Sequence, residues 1–334
     1  MKIFITGGTG YIASHTALSL LDLGHDVILF DNLSNSSVDT VGNIKTISNK
    51  DVSFILGDLS DTKLLSKTIR ENKIEMVIHF AALKAVGESV AEPIKYFQNN
   101  ISGSLSLFEA MKENNVKNLV FSSSATVYGE PKYLPIDENH PLAAINPYGR
   151  SKLHVEEILK DLAFSDKSWR IICLRYFNPV GAHESGLIGE NPNGIPNNLF
   201  PIINNVLCGK LDKLSIFGKD YKTADGTAIR DYIHVMDVAD GHSAALNFLS
   251  KTDKSFEMFN LGTGKGSSVL EIVNAYEDQS GEKLNFEFVD RRPGDAEQCY
   301  ADVSKATKYL KWEAKRNLQE MCGSAIAYNN LNKN

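Results

Sequence analysis

Short, continuously apolar runs alternate with amphipathic stretches through the first half of the chain, and this rhythm constrains the fold more than any other feature. The runs are Lys2–Thr6, Asp26–Asp31, Val52–Asp58, Met76–Ala81, Asn118–Ser124 and Trp169–Phe177. Because they are apolar throughout rather than at every second position, they predict parallel strands covered on both faces. Tyr11–Leu23 and the long stretch Ile94–Asn114 read as helices between them. Repeated strand–helix–strand units of this kind predict an α/β fold, a doubly wound parallel sheet of Rossmann type.

The texture changes after about Phe177. Gly, Pro and Asn crowd Asn178–Pro201, and further loops follow at Phe217–Thr227 and Arg291–Asp295. Helical patterns at Phe200–Gly209 and Val235–Leu249 interrupt them, and the tail from about Lys311 reads as one closing helix. We therefore expect a dinucleotide-binding domain over residues 1–178 and a smaller, loop-rich α/β substrate lobe over 179–334. The segment Phe256–Leu261 reads as a strand returning to the first sheet, so the expected boundary is discontinuous.

A chain of 334 residues can bury a core without a disulfide or metal staple. Its formal net charge of -6 gives no general attraction to nucleic acid or anionic lipid. No apolar run approaches the ~20 residues needed to span a bilayer, and MKIFITGGTG lacks the apolar stretch of a secretory signal. Cys173, Cys208, Cys299 and Cys322 show no CxxC spacing, and the eight histidines show no HxxEH spacing. These features predict a soluble, cytoplasmic protein with no metal site and neither nucleic acid nor membrane as partner.

The first strand runs directly into Gly7-Gly8-Thr9-Gly10-Tyr11-Ile12-Ala13 and a helix. Gly7 and Gly10 allow a tight turn and close approach of the backbone to a pyrophosphate, which the helix N-terminus would hold through unpaired N–H groups. The second strand ends at Asp31, about 20 residues on, where a carboxylate suits adenosine ribose hydroxyls and repels a 2′-phosphate. The expected cofactor is NAD rather than NADP. Asp58 closes the third run, and Phe80-Ala81-Ala82-Leu83-Lys84 follows the fourth, on the side where a cofactor crevice would lie.

Hydride transfer from an alcohol needs a base for the hydroxyl proton. A tyrosine with a pKa of about 10 can serve if a nearby cation favours the phenolate. Two Tyr-x-x-x-Lys matches occur. Tyr128 to Lys132 contains Gly129 and Pro131 and cannot present both ends on one helical face. Tyr148 to Lys152 follows Asn146, a good N-cap, and Pro147, suited to the first helical turn. Helical spacing sets Tyr148 and Lys152 on one face. Ser124, at the end of the fifth run, is placed to hydrogen-bond the reacting hydroxyl and the Tyr148 oxygen.

The segments TGGTGYIASH, LFDNLSNS, VIHFAALKAVGESV, FSSSATVYGE, NPYGRSK, LRYFNPVGAH, GIPNNLFP, FGKDY, DGTAIRDYIHVMDVADGH, NLGTGKGSSVLE and RRPGDAEQCYAD span essentially the whole chain. Together they resemble the extended short-chain dehydrogenase/reductases, and within them the UDP-glucose (galactose) 4-epimerases. The resemblance implies NAD contacts from Tyr11, Ile12, Asp31, Asn32, Leu33, Ser34, Asn35 and Ser36. It implies further ones from Asp58, Leu59, Phe80, Ala81, Ala82, Leu83, Lys84, Asn99 and Phe177. Ser124, Tyr148 and Lys152 would form the catalytic set and, like Lys84, lie between cofactor and sugar.

By the same resemblance, Asn178, Asn198, Leu199, Ser215, Ile216, Phe217, Arg230, Tyr232, Arg292 and Asp295 would hold the UDP-sugar substrate. Guanidinium forks such as those of Arg230 and Arg292 match phosphate geometry. Cys299 stands where the family carries either a bulky tyrosine or a smaller residue beside the sugar's 2-position. Ala13 replaces the usual third glycine, and Arg150 stands where lysine is common.

The implied reaction inverts C4 of a UDP-hexose through a 4-keto sugar, on plain and N-acetylated substrates alike, in a chain expected to form homodimers through paired helices. The related 4,6-dehydratases place an acidic pair after the fifth strand, where this chain has Ala125-Thr126. A non-catalytic NAD sensor on the same fold would have no need of the Tyr148/Lys152 pair.

Overall fold

Each of the six apolar runs forms a parallel strand. They are β1 (Lys2–Thr6), β2 (Asp26–Asp31), β3 (Ser53–Leu56), β4 (Met76–His79), β5 (Asn118–Ser124) and β6 (Arg170–Tyr176). The helices among them are α1 (Tyr11–Asp22), α2 (Asp39–Ser48), α3 (Thr62–Glu71), α4 (Val86–Ala91), α5 (Pro93–Phe97), α6 (Gly103–Glu113) and α7 (Pro147–Ser165). The computed structural model describes residues 1–192, 196, 198–292 and 295–332.

The later elements are β7 (Asn178–Val180), α8 (Leu199–Leu207), β8 (Leu214–Phe217), β9 (Ile229–Arg230), β10 (Tyr232–His234), α9 (Val235–Leu249) and β11 (Phe256–Leu261). After them come β12 (Ser267–Ser268), α10 (Val269–Ser280), β13 (Phe286–Val289), β14 (Gln298–Cys299), α11 (Ser304–Leu310) and α12 (Leu318–Leu331). Among the described residues the main sheet has seven strands in the order β11-β6-β5-β4-β1-β2-β3. The order reverses beside β1, so the strand ends on either side open a crevice there. The returning strand β11 pairs in parallel with β6, from Phe256 opposite Ile171 to Leu261 opposite Tyr176.

Successive side chains of a strand point to opposite faces. Ile3 and Ile5 therefore join the core layer that holds Leu18 and Leu246, while Phe4 joins the layer with Leu107, Leu159 and Trp169. A third core, around Phe200, Ile216, Tyr276 and Met321, supports the later elements.

Three expectations are corrected in detail. The stretch Ile94–Asn114 is interrupted by a wide π-helical turn at Gln98–Ser102, between α5 and α6. The third strand ends at Leu56, which leaves Asp58 two residues out in the following loop. The closing helix starts at Leu318 rather than near Lys311. Lys311 ends α11 with a positive φ of 55°. The chain then docks on α9, where Trp312 Nε1 donates to the Asp237 carbonyl and the Arg316 N–H to the Asp237 carboxylate, both at 3.0 Å. Asn317 and Glu320 form a capping box that starts α12.

Beneath the carboxyl edge of the sheet lies a buried ion pair. Arg175 of β6 donates through Nε to Glu156 Oε1 at 2.9 Å and through Nη2 to Oε2 at 2.6 Å, with both side chains almost wholly buried. Ser123 of β5 donates to the same carboxylate at 2.5 Å. Arg175 Nη1 donates to the Tyr128 hydroxyl at 3.0 Å, and that hydroxyl donates to Asn260 of β11 at 2.6 Å. Tyr128, one end of the rejected Tyr-x-x-x-Lys match, is thus a buried structural residue.

Removing one partner leaves an uncompensated buried charge. Glu156→Ala is expected to lower the free energy of unfolding by about 3–5 kcal/mol, and the double substitution Glu156→Leu/Arg175→Met to recover most of that loss. Urea denaturation of the three proteins checks this, and a Glu156→Ala loss under about 1 kcal/mol would overturn it.

Candidate active site

The glycine turn after β1 is packed at Gly8 against Leu29 of β2, where a Cβ would lie 2.8 Å from the Leu29 Cβ. Gly7 has φ +67°, and a Cβ there would lie 2.7 Å from the Ala81 backbone nitrogen, so the turn abuts the loop after β4. Gly10 is the N-cap of α1, has no side-chain cap, and is followed by no acidic residue in the first turn. An uncapped helix N-terminus in a crevice suits a bound phosphate.

Asp31 ends β2 facing this turn. Its Oδ2 accepts from the Thr9 N–H at 3.2 Å, and its Oδ1 accepts from the Leu33 N–H at 2.8 Å and from Ser36 Oγ at 3.2 Å. A carboxylate has about four lone-pair sites, so three bonds leave capacity for a ribose hydroxyl. Asn32 Nδ2 donates to Asp58 Oδ2 at 2.7 Å, and Ser60 donates twice to Asp58 Oδ1. These bonds hold the Asp58 carboxyl below its ordinary range. Leu59 beside it is buried. The residues 31–36 and 58–59 therefore form one continuous rim, with Leu33 at φ +59° and the Ser34 N–H bound to Asn32 Oδ1. Taken together, the uncapped turn and this carboxylate fit a dinucleotide.

The loop Phe80–Lys84 is clamped from behind by Asn100, a residue the sequence reading passed over. Asn100 Oδ1 accepts from the Leu83 N–H at 2.8 Å, and its Nδ2 donates to the Leu83 carbonyl and to Ser151 Oγ on α7. Asn99 Nδ2 donates to the same Asn100 oxygen at 2.9 Å. The adjacent Asn99-Asn100 pair was the available signal, but spacing alone cannot say which of the two faces the crevice.

At the N-terminus of α7, Asn146 Oδ1 accepts from the Gly149 N–H at 2.8 Å and Pro147 sits in the first turn, as its capping chemistry predicts. Tyr148 is thereby set beside the end of β5. Burial raises its hydroxyl pKa, whereas a hydrogen bond with Ser124 and the charge of Lys84 lower it. Ser124 also accepts from the Thr126 N–H at 3.2 Å, which fixes its rotamer at the strand end.

Lys152 lies one turn further along the helix and is buried. Its Nζ donates to the Ser122 carbonyl at 2.7 Å and stands 4.9 Å from the Phe121 ring centre. Burial brings the Lys152 amine down to about 7, against the upward pull of Glu156.

The substrate-assigned residues lie on the later elements and the loops that join them. Asn178 of β7 pairs with Tyr232 of β10, and the Phe177 N–H donates to the Leu261 carbonyl at 3.1 Å. Ser215, Ile216 and Phe217 lie on β8, and the Arg292 guanidinium stacks 3.8 Å from the Phe217 ring centre. Arg230 Nη2 pairs with Asp295 Oδ1 at 3.0 Å. Asn198 holds the N-cap position of α8 without a side-chain capping bond, its Nδ2 donating instead to Glu190 at 2.6 Å, and Leu199 begins that helix.

Cys299 on β14 pairs with Arg230 on β9 and packs against the small core around Val127, Tyr128 and Phe177. Burial pushes its thiol up to about 11. Asp231, also passed over, ties these segments together. Its carboxylate accepts from the Thr263, Gly264 and Ala301 N–H groups at 2.7 to 3.1 Å.

Lys152 yields a pH dependence of stability. An unfolded lysine titrates near about 10.4, while the folded group titrates at about 7. Between those values the unfolded chain holds a proton the folded chain has released, so stability rises with pH across that window. Below it the full cost of a buried ammonium is present. Lys152→Met is therefore expected to stabilise protein stripped of nucleotide near neutral pH, with the gain fading towards about pH 10. Urea midpoints across pH measure this, and a variant no more stable than the parent at neutral pH would contradict it.

Comparison with known proteins gives concordant results. The family model described as GDP-mannose 4,6 dehydratase matches residues 4–325. The chain is 53% identical over 334 residues to a UDP-glucose 4-epimerase of Bacillus subtilis (strain 168), covering 100% of this chain and 98% of that protein. Its fold is similar, at TM-score 0.97 and 46% identity, to a UDP-glucose 4-epimerase from Stenotrophomonas maltophila with bound NAD and formylated UDP-arabinopyranose. That match covers 99% of this chain and 98% of the other. A UDP-glucose 4-epimerase from Bifidobacterium longum in complex with NAD+ and UDP matches at TM-score 0.95 and 49% identity, over 99% of both chains.

Proposed function

We propose, from the premise that the chain belongs to the UDP-glucose 4-epimerase family, that it inverts C4 of UDP-hexoses with the help of bound NAD. The observation that carries this reading is Tyr148, set by a capped helix at the carboxyl edge of the sheet and hydrogen-bonded to Ser124. Glycines 7 and 10, the rim 31–36 and the loop 80–84 would hold the dinucleotide, and Asp31 would disfavour a 2′-phosphate. NAD held there would supply a reversible hydride acceptor for C4.

The chain's own groups handle the proton and the geometry. Tyr148 takes the C4 hydroxyl proton as the hydride departs, with Ser124 donating to the developing oxyanion. Lys152 would orient the cofactor beside them. Arg230 and Arg292, presently engaged with Asp295 and Phe217, supply guanidinium forks for the diphosphate. A 4-keto sugar pivoting about an anchored diphosphate can then present its other face, and Tyr148 returns the proton. Ala125 and Thr126 follow Ser124 in a short 3-10 turn with no carboxylate of their own, which favours epimerisation over dehydration.

We further propose the division into a cofactor domain and a substrate lobe, with β11 returning to the first. Four free cysteines suit a reducing cytoplasm, and among the described residues no helix is long and apolar enough to cross a membrane. Ile94 at 70% and Phe164 at 77% exposure, together with Leu105, give α5, α6 and α7 an apolar outer face suited to a homodimer.

Tyr148→Phe tests the base. Turnover of UDP-galactose to UDP-glucose is expected to fall about 10²–10⁴-fold with folding and NAD content retained. Turnover within a few-fold of the parent would remove Tyr148 from the mechanism.

Cys299 supports a broader substrate range. A thiol leaves room beside the sugar's 2-position that a phenol ring would fill, so UDP-GlcNAc and UDP-GalNAc are expected substrates as well. Cys299→Tyr should abolish their interconversion while sparing the plain hexoses. The comparison is kcat/KM for both pairs in both proteins, and a parent inactive on UDP-GlcNAc would refute the gate.

A further inference from the structure

Ser124 closes β5, and the chain then turns through Ala125–Val127 in a single 3-10 turn. Two donors from one neighbour converge on the Ser124 hydroxyl. The Thr126 N–H donates to Ser124 Oγ at 3.2 Å, and Thr126 Oγ1 donates to it at 3.0 Å. A serine hydroxyl has one proton to give and two lone pairs with which to accept. Thr126 engages both lone pairs, so a proton is what Ser124 has left to offer.

Thr126 is itself held from two sides. Val127 and Tyr128, next in the chain, are fully buried, and the Val127 carbonyl accepts from the Ala143 N–H at 3.1 Å. The Thr126 carbonyl accepts from the Gly129 N–H at 3.4 Å. A Cβ on Gly149 would lie only 2.9 Å from that same oxygen. Gly149 follows Tyr148 directly in the first turn of α7. Thr126 therefore lies between the serine that ends β5 and the helix turn that carries the tyrosine. Its own side chain is only half-buried, and a valine of the same shape would fill the same space. Packing gives no reason for a hydroxyl here; the bond to Ser124 does.

An unconstrained hydroxyl rotates and accepts as readily as it donates. With its acceptor side occupied, the Ser124 proton is turned away from the strand end and towards the reacting side. Tyr148 is its hydrogen-bond partner there, a contact that draws the phenol's pKa down against burial. A donor oriented in advance costs no reorganisation as charge develops on an oxygen in front of it.

We propose that Thr126 is a positioning residue whose hydroxyl and backbone N–H saturate Ser124 Oγ, so that Ser124 presents its proton to the oxygens of Tyr148 and the substrate. Thr126 acts through Ser124, and the proposal rests on Ser124 and Tyr148 having the roles given above.

Variants of the full-length holoenzyme test this. Thr126→Val keeps the side-chain shape and the backbone N–H and removes the hydroxyl. Its kcat on UDP-galactose should fall about three- to tenfold, as expected for one orienting hydrogen bond. KM, NAD content and melting temperature should stay close to those of the parent. Thr126→Ser restores the donor and should recover most of kcat. In a Ser124→Ala background, Thr126→Val should cost less than about twofold, because the group it acts through is gone. An equal loss in both backgrounds, or a Thr126→Ser variant as impaired as Thr126→Val, overturns the positioning role. So does a Thr126→Val variant that loses stability or raises KM while keeping kcat. Ser124→Ala alone keeps the two readings apart. If it is strongly impaired while Thr126→Val matches the parent, only the role of Thr126 falls. If Ser124→Ala turns over like the parent, the assignment of Ser124 falls and takes the role of Thr126 with it.

Discussion

The carboxylate of Glu156 governs how the rest of the site is assembled. It sits on α7 two turns beyond Tyr148 and one beyond Lys152, and it accepts hydrogen bonds from Arg175 of β6 and Ser123 of β5. A buried carboxylate is tolerable only with partners of this kind. Once Glu156 is fixed, α7 can neither slide nor rotate against the sheet. Tyr148 must then lie at the end of β5, beside Ser124, and Lys152 must point at the carbonyl of Ser122. Tyr128 and Asn260 extend the network to β11, so a strand contributed late in the chain helps to hold a site built early in it.

This arrangement trades stability for chemistry. Lys152 is an amine buried against an aromatic ring and a backbone carbonyl, with its pKa brought down to about 7. Such a group opposes folding when charged. Lys84 belongs to the loop after β4, where its side chain is 45% exposed and its Nζ donates to Glu190 at 2.9 Å.

Much of the fold was legible because its signals are local. Continuous apolar runs mark β1, β2, β5 and β11 to the residue, and Asn146-Pro147 marks the start of α7. The boundaries that were misread are those where tertiary contacts override local pattern. The chain at Lys311–Arg316 leaves the helix because Asp237 on α9 captures Trp312 and Arg316. The π-helical turn at Gln98–Ser102 places Asn100 on the Leu83 backbone, and helical periodicity has no means of announcing it.

Sequence by itself determined the strand–turn–helix entrance, the carboxylate at the end of β2 and the tyrosine in the first turn of α7. Each depends on neighbours a few residues away, through capping, backbone freedom and side-chain period. Only the tertiary structure decided that Asn100 and Asp231 brace the cleft, and that one Glu190 oxygen accepts from both Lys84 and Asn198. Lys84 and Glu190 are 106 positions apart in the chain. Charges that distant meet only after the sheet has brought its strand ends to one edge, and no local pattern of residues encodes the pairing.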